Sequence, residues 1–268
     1  MINKFNAYKR TFKLTWSMAM DYRLNFIFNF VCSFVPIIAM IFLWTAIFRD
    51  NTTVGGYTLN MMLTYLITAR FLHQVIVPDF FWDVSEEIKN GSLSMYLIKP
   101  ISYIKYWFFK ALGNKSQNLV MTIIPILLIA LIFRNNIVLN SSIEKIVYFI
   151  VACSIAYVLY FLIFMLFSLL SFWFLEISSF FYTLYMFIEF FSGSLIPINL
   201  LPATIKNILK YLPFQYLVYF PIKIYLAEIT INEIYTGLFV QVIWIAVIAI
   251  GIKFLWKLGI KKFEAYGG

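Results

Sequence analysis

Long apolar runs separated by short polar stretches dominate the pattern along this chain. A transmembrane helix needs about 20 mostly apolar residues to cross a hydrocarbon layer of about 30 Å. Six runs reach that length, at 24–48, 57–80, 107–133, 145–172, 177–196 and 234–256. The fourth and fifth runs are divided only by a polar break at 174–179. The pattern therefore predicts an all-α integral membrane protein with six transmembrane helices.

The first residues carry a pattern that is typical of a helix lying in the membrane interface. Aromatic and apolar side chains recur at three- and four-residue spacing over 3–20, and most of the cations fall off that stripe. Residues 1–23 lack the apolar core and cleavage site of a signal peptide, so we expect an uncleaved N-terminus. The helix would serve as a lipid anchor alone, or would also touch a cytosolic partner.

Residues 197–226, between the fifth and sixth runs, are apolar but hold four prolines. Proline removes a backbone donor and clashes with the preceding turn, so a straight helix is excluded here. Broken backbone at membrane depth survives only against protein or a water-filled cavity. We therefore predict short re-entrant helices in the outer leaflet.

Composition and charge support a membrane protein and orient it. Of the 268 residues, 63% are hydrophobic and 12% are charged, whereas soluble domains carry about 25% charged residues. With six spans, 14 of the 21 Lys and Arg residues fall on the side of the two termini, which the positive-inside rule assigns to the cytoplasm. The net charge of +9 reflects these flanking cations and not a basic domain, which argues against nucleic-acid binding.

The chain offers little material for catalysis or for a metal site. It has one histidine, His73, so a site of several imidazoles or a His-containing triad has a single candidate. The stretch LGNKS at 112–116 lacks the contiguous Gly-Lys-Ser/Thr of a phosphate-binding loop. Both cysteines lie inside apolar runs, which favours packing over a disulfide. We expect no metal, no cofactor on this chain and no enzymatic activity of its own.

Three polar residues inside the predicted spans are functional candidates, because ionisable groups are costly in a bilayer. Arg70 and Glu189 fall near mid-depth, where they could form an ion pair, line a substrate path or relay protons. His73 lies one turn from Arg70, where an interfacial hydrogen-bonding role is favoured over catalysis. No chain of further acids or histidines accompanies them, which weakens an ion-coupled transporter.

The polar stretch between the second and third runs forms the largest predicted cytoplasmic loop. A short charged helix is predicted from Glu86, Glu87 and Lys89. Gly91 suits a left-handed cap at its end. The apolar groups that follow are Leu93, Met95, Leu97 and Ile98, before Pro100. Such a loop is suited to dock in a groove of a soluble protein.

This loop, EEIKNGSLSMYLIKPISYIKYW, resembles the Gly-x-Leu-x-x-x-Leu-x-x-Pro segment of ATP-binding-cassette (ABC) transporter permeases of the type-2 exporter class. The segment FFSGSLIPINLLPATIKNILKYLPFQY at 190–216 is similar to the proline-rich segment of a bacterial branch of that class. The ending KFEAYGG is similar to the Gly-Gly tail of the same branch. Together these segments cover the chain from its first loop to its end.

The resemblance implies one permease domain over 1–268, with an interfacial helix at 3–20, a coupling loop at 83–104 and a re-entrant segment at 197–226. Two such subunits, identical or paired with a sister permease, would surround a path for an amphiphile such as a peptide, antibiotic or lipid-like molecule. Two copies of a separate ATPase chain, which hold ATP and Mg²⁺, would bind below. The membrane would be the bacterial cytoplasmic membrane.

The resemblance also implies which residues contact the ATPase. They are Glu86, Glu87, Lys89, Gly91 and Leu93, with Lys9 and Arg10 as secondary contacts. Two alternatives stay open. An ion-coupled carrier would depend on Arg70, Glu189 or Glu176. An enzyme acting on lipid head groups would use His73 with Asp79 or Asp83.

Overall fold

A computed structural model of the chain describes residues 9–13, 23–134, 137–138, 142–174 and 178–263. Its long helices are α1 (Arg23–Ile47), α2 (Leu59–Ile76), α5 (Tyr103–Ile132), α6 (Ile143–Ser168), α7 (Ser178–Phe191) and α10 (Ile231–Lys262). Its short helices are α3 (Phe81–Lys89), α4 (Ser94–Leu97), α8 (Ala203–Leu209) and α9 (Tyr219–Tyr225). The all-α prediction is therefore confirmed over the part of the chain that the structure describes.

Each of the six apolar runs coincides with one long helix. Within the described ranges, three segments are long and apolar enough to cross a membrane, namely Leu59–Lys89, Ile143–Phe172 and Ile231–Lys262. Two further apolar helices, Val35–Ile47 and Ser179–Phe191, are shorter. These helices support a multi-pass membrane protein, and the number of six spans stays a prediction.

Both ends of the chain are described only in part. Residues 9–13 are helical, with Lys9 and Arg10 exposed. The rest of the interfacial helix predicted at 3–20 and the Gly-Gly ending lie outside the described residues.

The second span ends earlier than the apolar pattern predicts. The run at 57–80 continues to Phe80, but α2 ends at Ile76 and the backbone of Val77 is extended. Pro78 explains the break, because its ring disfavours the helical conformation of the preceding residue and it donates no backbone hydrogen bond. The chain restarts as α3 at Phe81. The proline therefore separates α2 from α3, which begins the predicted cytoplasmic loop.

The segment at 197–226 is a series of short helices, as its prolines predict. Pro197 and Pro202 immediately precede the 3-10 helix Ile198–Leu200 and α8, and Pro213 precedes the 3-10 helix Phe214–Tyr216. A proline at a helix start loses no intrahelical hydrogen bond, because the first N–H groups have no partner in the helix. The short helices are confirmed, whereas their insertion into the outer leaflet stays a prediction.

Helix α6 lies at the centre of the packing and contacts α2, α3, α9 and α10. Small residues on α6, among them Ala152 and Ala156, are fully buried and allow neighbouring helices to approach closely. Gly237 on α10 has the same role. A Cβ at this position would lie 2.2 Å from the ring of Phe220 on α9, so the absence of a side chain allows α9 and α10 to approach closely. The predicted outer short helices, at 197–226, are thus packed tightly against the last long helix.

Candidate functional site

The predicted cytoplasmic loop begins with α3, which is an amphipathic helix. Its buried positions, Phe81, Val84, Ser85 and Ile88, follow helical spacing and face the core. Glu86 is exposed on the opposite face and Lys89 is half-buried in the last turn. The sequence pattern thus placed these charges correctly on a helix surface.

Gly91 ends this helix in the left-handed conformation that the sequence predicts, with φ of +78°. The turn brings the N–H of Leu93 within 3.0 Å of the carbonyl oxygen of Glu87. Leu93 is 0% exposed and Gly91 is also buried. Because of this burial, both hold the loop against the protein's own core.

Glu87 is tied into the protein by three hydrogen bonds. Its Oε1 accepts from the hydroxyl of Tyr96 at 3.1 Å, and its Oε2 accepts from the hydroxyl of Tyr103 at 2.7 Å and from Nε1 of Trp107 at 3.2 Å. Hydrogen bonds to a charged group contribute about 1.5–3 kcal/mol each. Burial, a hydrogen bond with Tyr106 and the charge of Glu87 raise the pKa of Tyr96, so its hydroxyl remains a donor. Glu87 is therefore an internal anchor that joins α3, α4 and α5.

This anchoring role could not be read from the sequence. Glu87 was predicted as a partner contact, and its three aromatic donors looked like ordinary membrane-interface residues. Tyr103 also stacks on Trp256 of α10, with ring centroids 5.4 Å apart. The loop is thus connected through Glu87 and Tyr103 to two long helices.

The tip of the loop presents apolar side chains to the outside. Met95, Leu97 and Ile98 are exposed, and Ile98 reaches 86%. Apolar side chains clustered at one exposed site are typical of a surface that docks against another protein. The sequence analysis identified these three residues together with Leu93, which the structure buries instead.

The polar residues of α2 and α7 meet inside the protein, but not as the predicted ion pair. Nε2 of His73 lies 2.6 Å from Oε1 of Glu189 and 2.7 Å from the hydroxyl of Tyr185. No ion pair within 4.0 Å joins Glu189 to Arg70 among the described residues. The ion pair of Arg70 with Glu189, which was one of three possible roles for these residues, is therefore not formed, because the rotation of α2 turns His73 toward α7.

A pocket of about 260 Å³ opens beside His73, where α2, α3, α5 and α7 meet. Its polar lining includes Gln74, Asp79 and Lys115, and Trp82 and Tyr185 contribute aromatic rings. Nζ of Lys115 lies 3.0 Å from Oδ1 of Asp79. In the sequence, Lys115 is only one of the cations that orient the chain in the membrane. The residues around it do not indicate a partner 36 positions away.

A second polar cluster lies at the opposite end of the bundle. The hydroxyl of Tyr57 donates to Oε2 of Glu228 at 3.1 Å and accepts a 3.4 Å hydrogen bond from the amide of Asn199. Asn199 also accepts from the hydroxyl of Tyr219. Burial raises the pKa of Glu228, and the hydrogen bond from Tyr57 offsets part of that rise. This network holds the outer short helices against the start of α2.

The described residues contain no group of three or more His, Cys, Asp or Glu side chains that could hold a metal ion. A family model described as "ABC-2 family transporter protein" matches residues 34–267, which include the predicted cytoplasmic loop, the polar pocket and the short helices at 197–226. No curated protein matches the sequence.

Proposed function

Because the chain belongs to the ABC-2 family of transporter proteins, we propose that it is the membrane-spanning subunit of an exporter driven by a separate ATPase chain. The sequence has no phosphate-binding loop that could hold ATP. ATP and Mg²⁺ therefore bind to the partner. Two permease subunits, identical or of two kinds, enclose a path for an amphiphile, with both termini in the cytoplasm of a bacterial cell.

The exposed tip at Met95, Leu97 and Ile98 is the observation that carries this proposal. Exposed apolar side chains on a cytoplasmic loop are favourable only when a partner covers them. The anchor at Glu87 holds the tip rigidly, so that little conformational entropy is lost on docking. Glu86 and Lys89 flank the docking surface and supply charged contacts, and Lys9 and Arg10 supply secondary ones.

The same contacts provide a route for force. Closure of the ATPase pair on ATP pushes the tip, and the hydrogen bond between Glu87 and Tyr103 passes that displacement to α5. The stacking of Tyr103 on Trp256 passes it to α10. Helix α10 contacts the outer short helices at Gly237, so movement of the loop reaches the outer end of the bundle.

Affinity purification from native membranes in mild detergent tests the proposal, with mass spectrometry and ATP hydrolysis as readouts. An ATPase chain carrying a phosphate-binding loop should co-purify with the wild type. Ile98→Asp should abolish its retention, because it places a charge in the apolar contact. Val138→Asp is the matched control, since Val138 is an exposed apolar residue in a predicted outer loop. A chain that purifies alone and without ATP hydrolysis would contradict the proposal.

An ion-coupled carrier is the second candidate, favoured by the contact between His73 and Glu189 within the bundle. It predicts that transport stops when the proton or sodium gradient is collapsed while ATP is present. His73→Gln should then abolish gradient dependence. Transport that continues after the gradient is collapsed, with ATP present, excludes the ion-coupled carrier.

A further inference from the structure

The pocket between α2, α3, α5 and α7 contains a separate ion pair that the route of force does not use. Lys115 and Asp79 lie 3.0 Å apart, and their side chains are 9% and 55% exposed. We propose that this pocket binds the zwitterionic head group of an amphiphile, with Lys115 facing its anion and Asp79 facing its cation. The existence of this binding site does not depend on the proposed function. Only its assignment as the substrate site of the exporter rests on that function.

The ion pair selects for a head group that carries both charges. A cation drawn to Asp79 would leave the buried ammonium of Lys115 without a counterion, which is strongly unfavourable. An anion drawn to Lys115 would leave the half-exposed carboxylate of Asp79 unpaired and would be repelled by it. A zwitterion replaces one ion pair with two and leaves no charge unpaired. The pair thus provides attraction for a zwitterion and repulsion of singly charged competitors.

The rest of the lining fits the two ends of such a head group. Trp82 and Tyr185 line the same pocket as Asp79, and aromatic faces attract ammonium groups, including quaternary ones. Gln74 offers an amide in the same pocket. This amide can donate a hydrogen bond to an oxygen of a phosphate or carboxylate.

The size of the pocket sets how much of the ligand it holds. Its volume of about 260 Å³ is below the range of about 300–1,000 Å³ for sites that enclose a drug-sized molecule. Next to it, the ring of Tyr182 lies 5.0 Å from that of Trp82 and is largely exposed on α7. Met186 on the same helix is also exposed. The head group enters the pocket, and the apolar tail follows this exposed surface.

The test measures binding of amphiphiles that share a twelve-carbon chain and differ only in the head. The full chain is placed in phosphatidylglycerol nanodiscs, which contain no zwitterionic lipid. Binding of dodecylphosphocholine, dodecyltrimethylammonium and dodecyl phosphate is measured below their micellar concentrations. The wild type should bind dodecylphosphocholine about tenfold more tightly than either singly charged amphiphile, which corresponds to about 1.4 kcal/mol.

Variants of the pair should change selectivity in opposite directions. Asp79→Asn should shift the preference toward dodecyl phosphate, because Lys115 then lacks a counterion. Lys115→Met should shift it toward dodecyltrimethylammonium. The exchange of both residues, Asp79→Lys with Lys115→Asp, should restore the preference for the zwitterion and show that the fold is intact.

The chain offers a matched control close in sequence to both members of the pair. Asp83 and Lys110 form a looser pair, 3.9 Å apart, outside the pocket. Asp83→Asn and Lys110→Met should leave the wild-type selectivity unchanged. Equal binding of all three head groups to the wild type, or equal weakening of all three by Asp79→Asn and Lys115→Met, would overturn the proposal.

The outcome of the binding test does not depend on the outcome of the ATPase test, because binding is measured without a partner chain. Loss of ATPase co-purification leaves the pocket intact as a binding site. In the complex, dodecylphosphocholine should stimulate ATP hydrolysis and Lys115→Met should remove that stimulation. If dodecylphosphocholine binds but does not stimulate ATP hydrolysis, the assignment of the pocket as the substrate site is overturned. The pocket is then a binding site for a lipid that is not transported.

Discussion

The hydroxyl of Tyr103 donates a 2.7 Å hydrogen bond to Oε2 of Glu87 and so joins the predicted cytoplasmic loop to the first turn of α5. The same tyrosine ring stacks on Trp256 of α10. A single side chain thus links the loop, through its hydroxyl and its ring, to two long helices. Its hydroxyl can be removed without changing the ring, which makes the link testable.

Tyr103→Phe should lower the free energy of unfolding by about 1.5–3 kcal/mol, because it removes a hydrogen bond to a carboxylate. It should also reduce transport per ATP hydrolysed if the link transmits force. Thermal unfolding of the purified protein and coupled transport in vesicles are the two measurements.

A double-mutant cycle with Glu87→Gln separates this contact from general damage. The two changes should be non-additive by about 0.5–3 kcal/mol, as expected for residues in direct contact. Tyr182→Phe, an exposed tyrosine on α7, is the control and should be additive with Glu87→Gln. Additivity of Tyr103→Phe with Glu87→Gln would show that the hydrogen bond contributes nothing.

The pair of His73 and Glu189 should behave as a buried structural contact. His73→Leu alone should destabilise the protein by about 3–5 kcal/mol, because it leaves the Glu189 carboxylate buried without its partner. The double variant His73→Leu with Glu189→Leu should be close to the wild type in unfolding temperature. A double variant less stable than His73→Leu would show that Glu189 has other essential contacts.

Gly193 requires both its left-handed backbone and the absence of a side chain. Its φ is +81°, and a Cβ there would lie 2.8 Å from the hydroxyl of Tyr65 and from Cβ of Tyr219. Gly193→Ala should therefore cost more than the roughly 1–2 kcal/mol of the backbone conformation alone. Gly56→Ala isolates the backbone term, because Gly56 has φ of +87° and nothing within 4 Å of its Cβ position. Equal losses would show that packing at Gly193 is unimportant.

Glu228 should make the stability of the folded protein depend on pH. Burial raises the pKa of Glu228 above its ordinary value of 4.5. Because the folded protein then binds the proton more tightly than the unfolded chain, this stabilisation is complete below about pH 4.5 and is lost as the pH rises through the folded-state pKa. Unfolding temperatures measured from pH 4 upward should fall in the wild type over this range.

Glu228→Gln should abolish that fall, since the amide can still accept the hydrogen bond from Tyr57 and does not titrate. Asp50→Asn, which changes an exposed carboxylate in another turn, should keep the wild-type dependence. The same pH dependence in Glu228→Gln and the wild type would assign it to another group.

Several features follow from residues that are close together in the sequence. The apolar runs predict the long helices, because burial in a bilayer requires a continuous apolar stretch. The prolines at 197–226 predict short helices, and Gly91 predicts a left-handed turn, because these depend on the sterics of one residue and its neighbours. The exposed apolar tip of the loop also follows from its local composition.

The pairings of polar side chains were decided by the tertiary structure alone. His73 contacts Tyr185, 112 positions away, and the neighbouring Glu189, whereas Arg70 looked equally suitable for Glu189 in the sequence. Glu87 turned inward to three aromatic donors, and Lys115 found Asp79. Each of these contacts depends on how one helix is rotated and shifted against another. That arrangement is set by the packing of the whole bundle, whereas hydrophobic periodicity shows only which residues share one helix face.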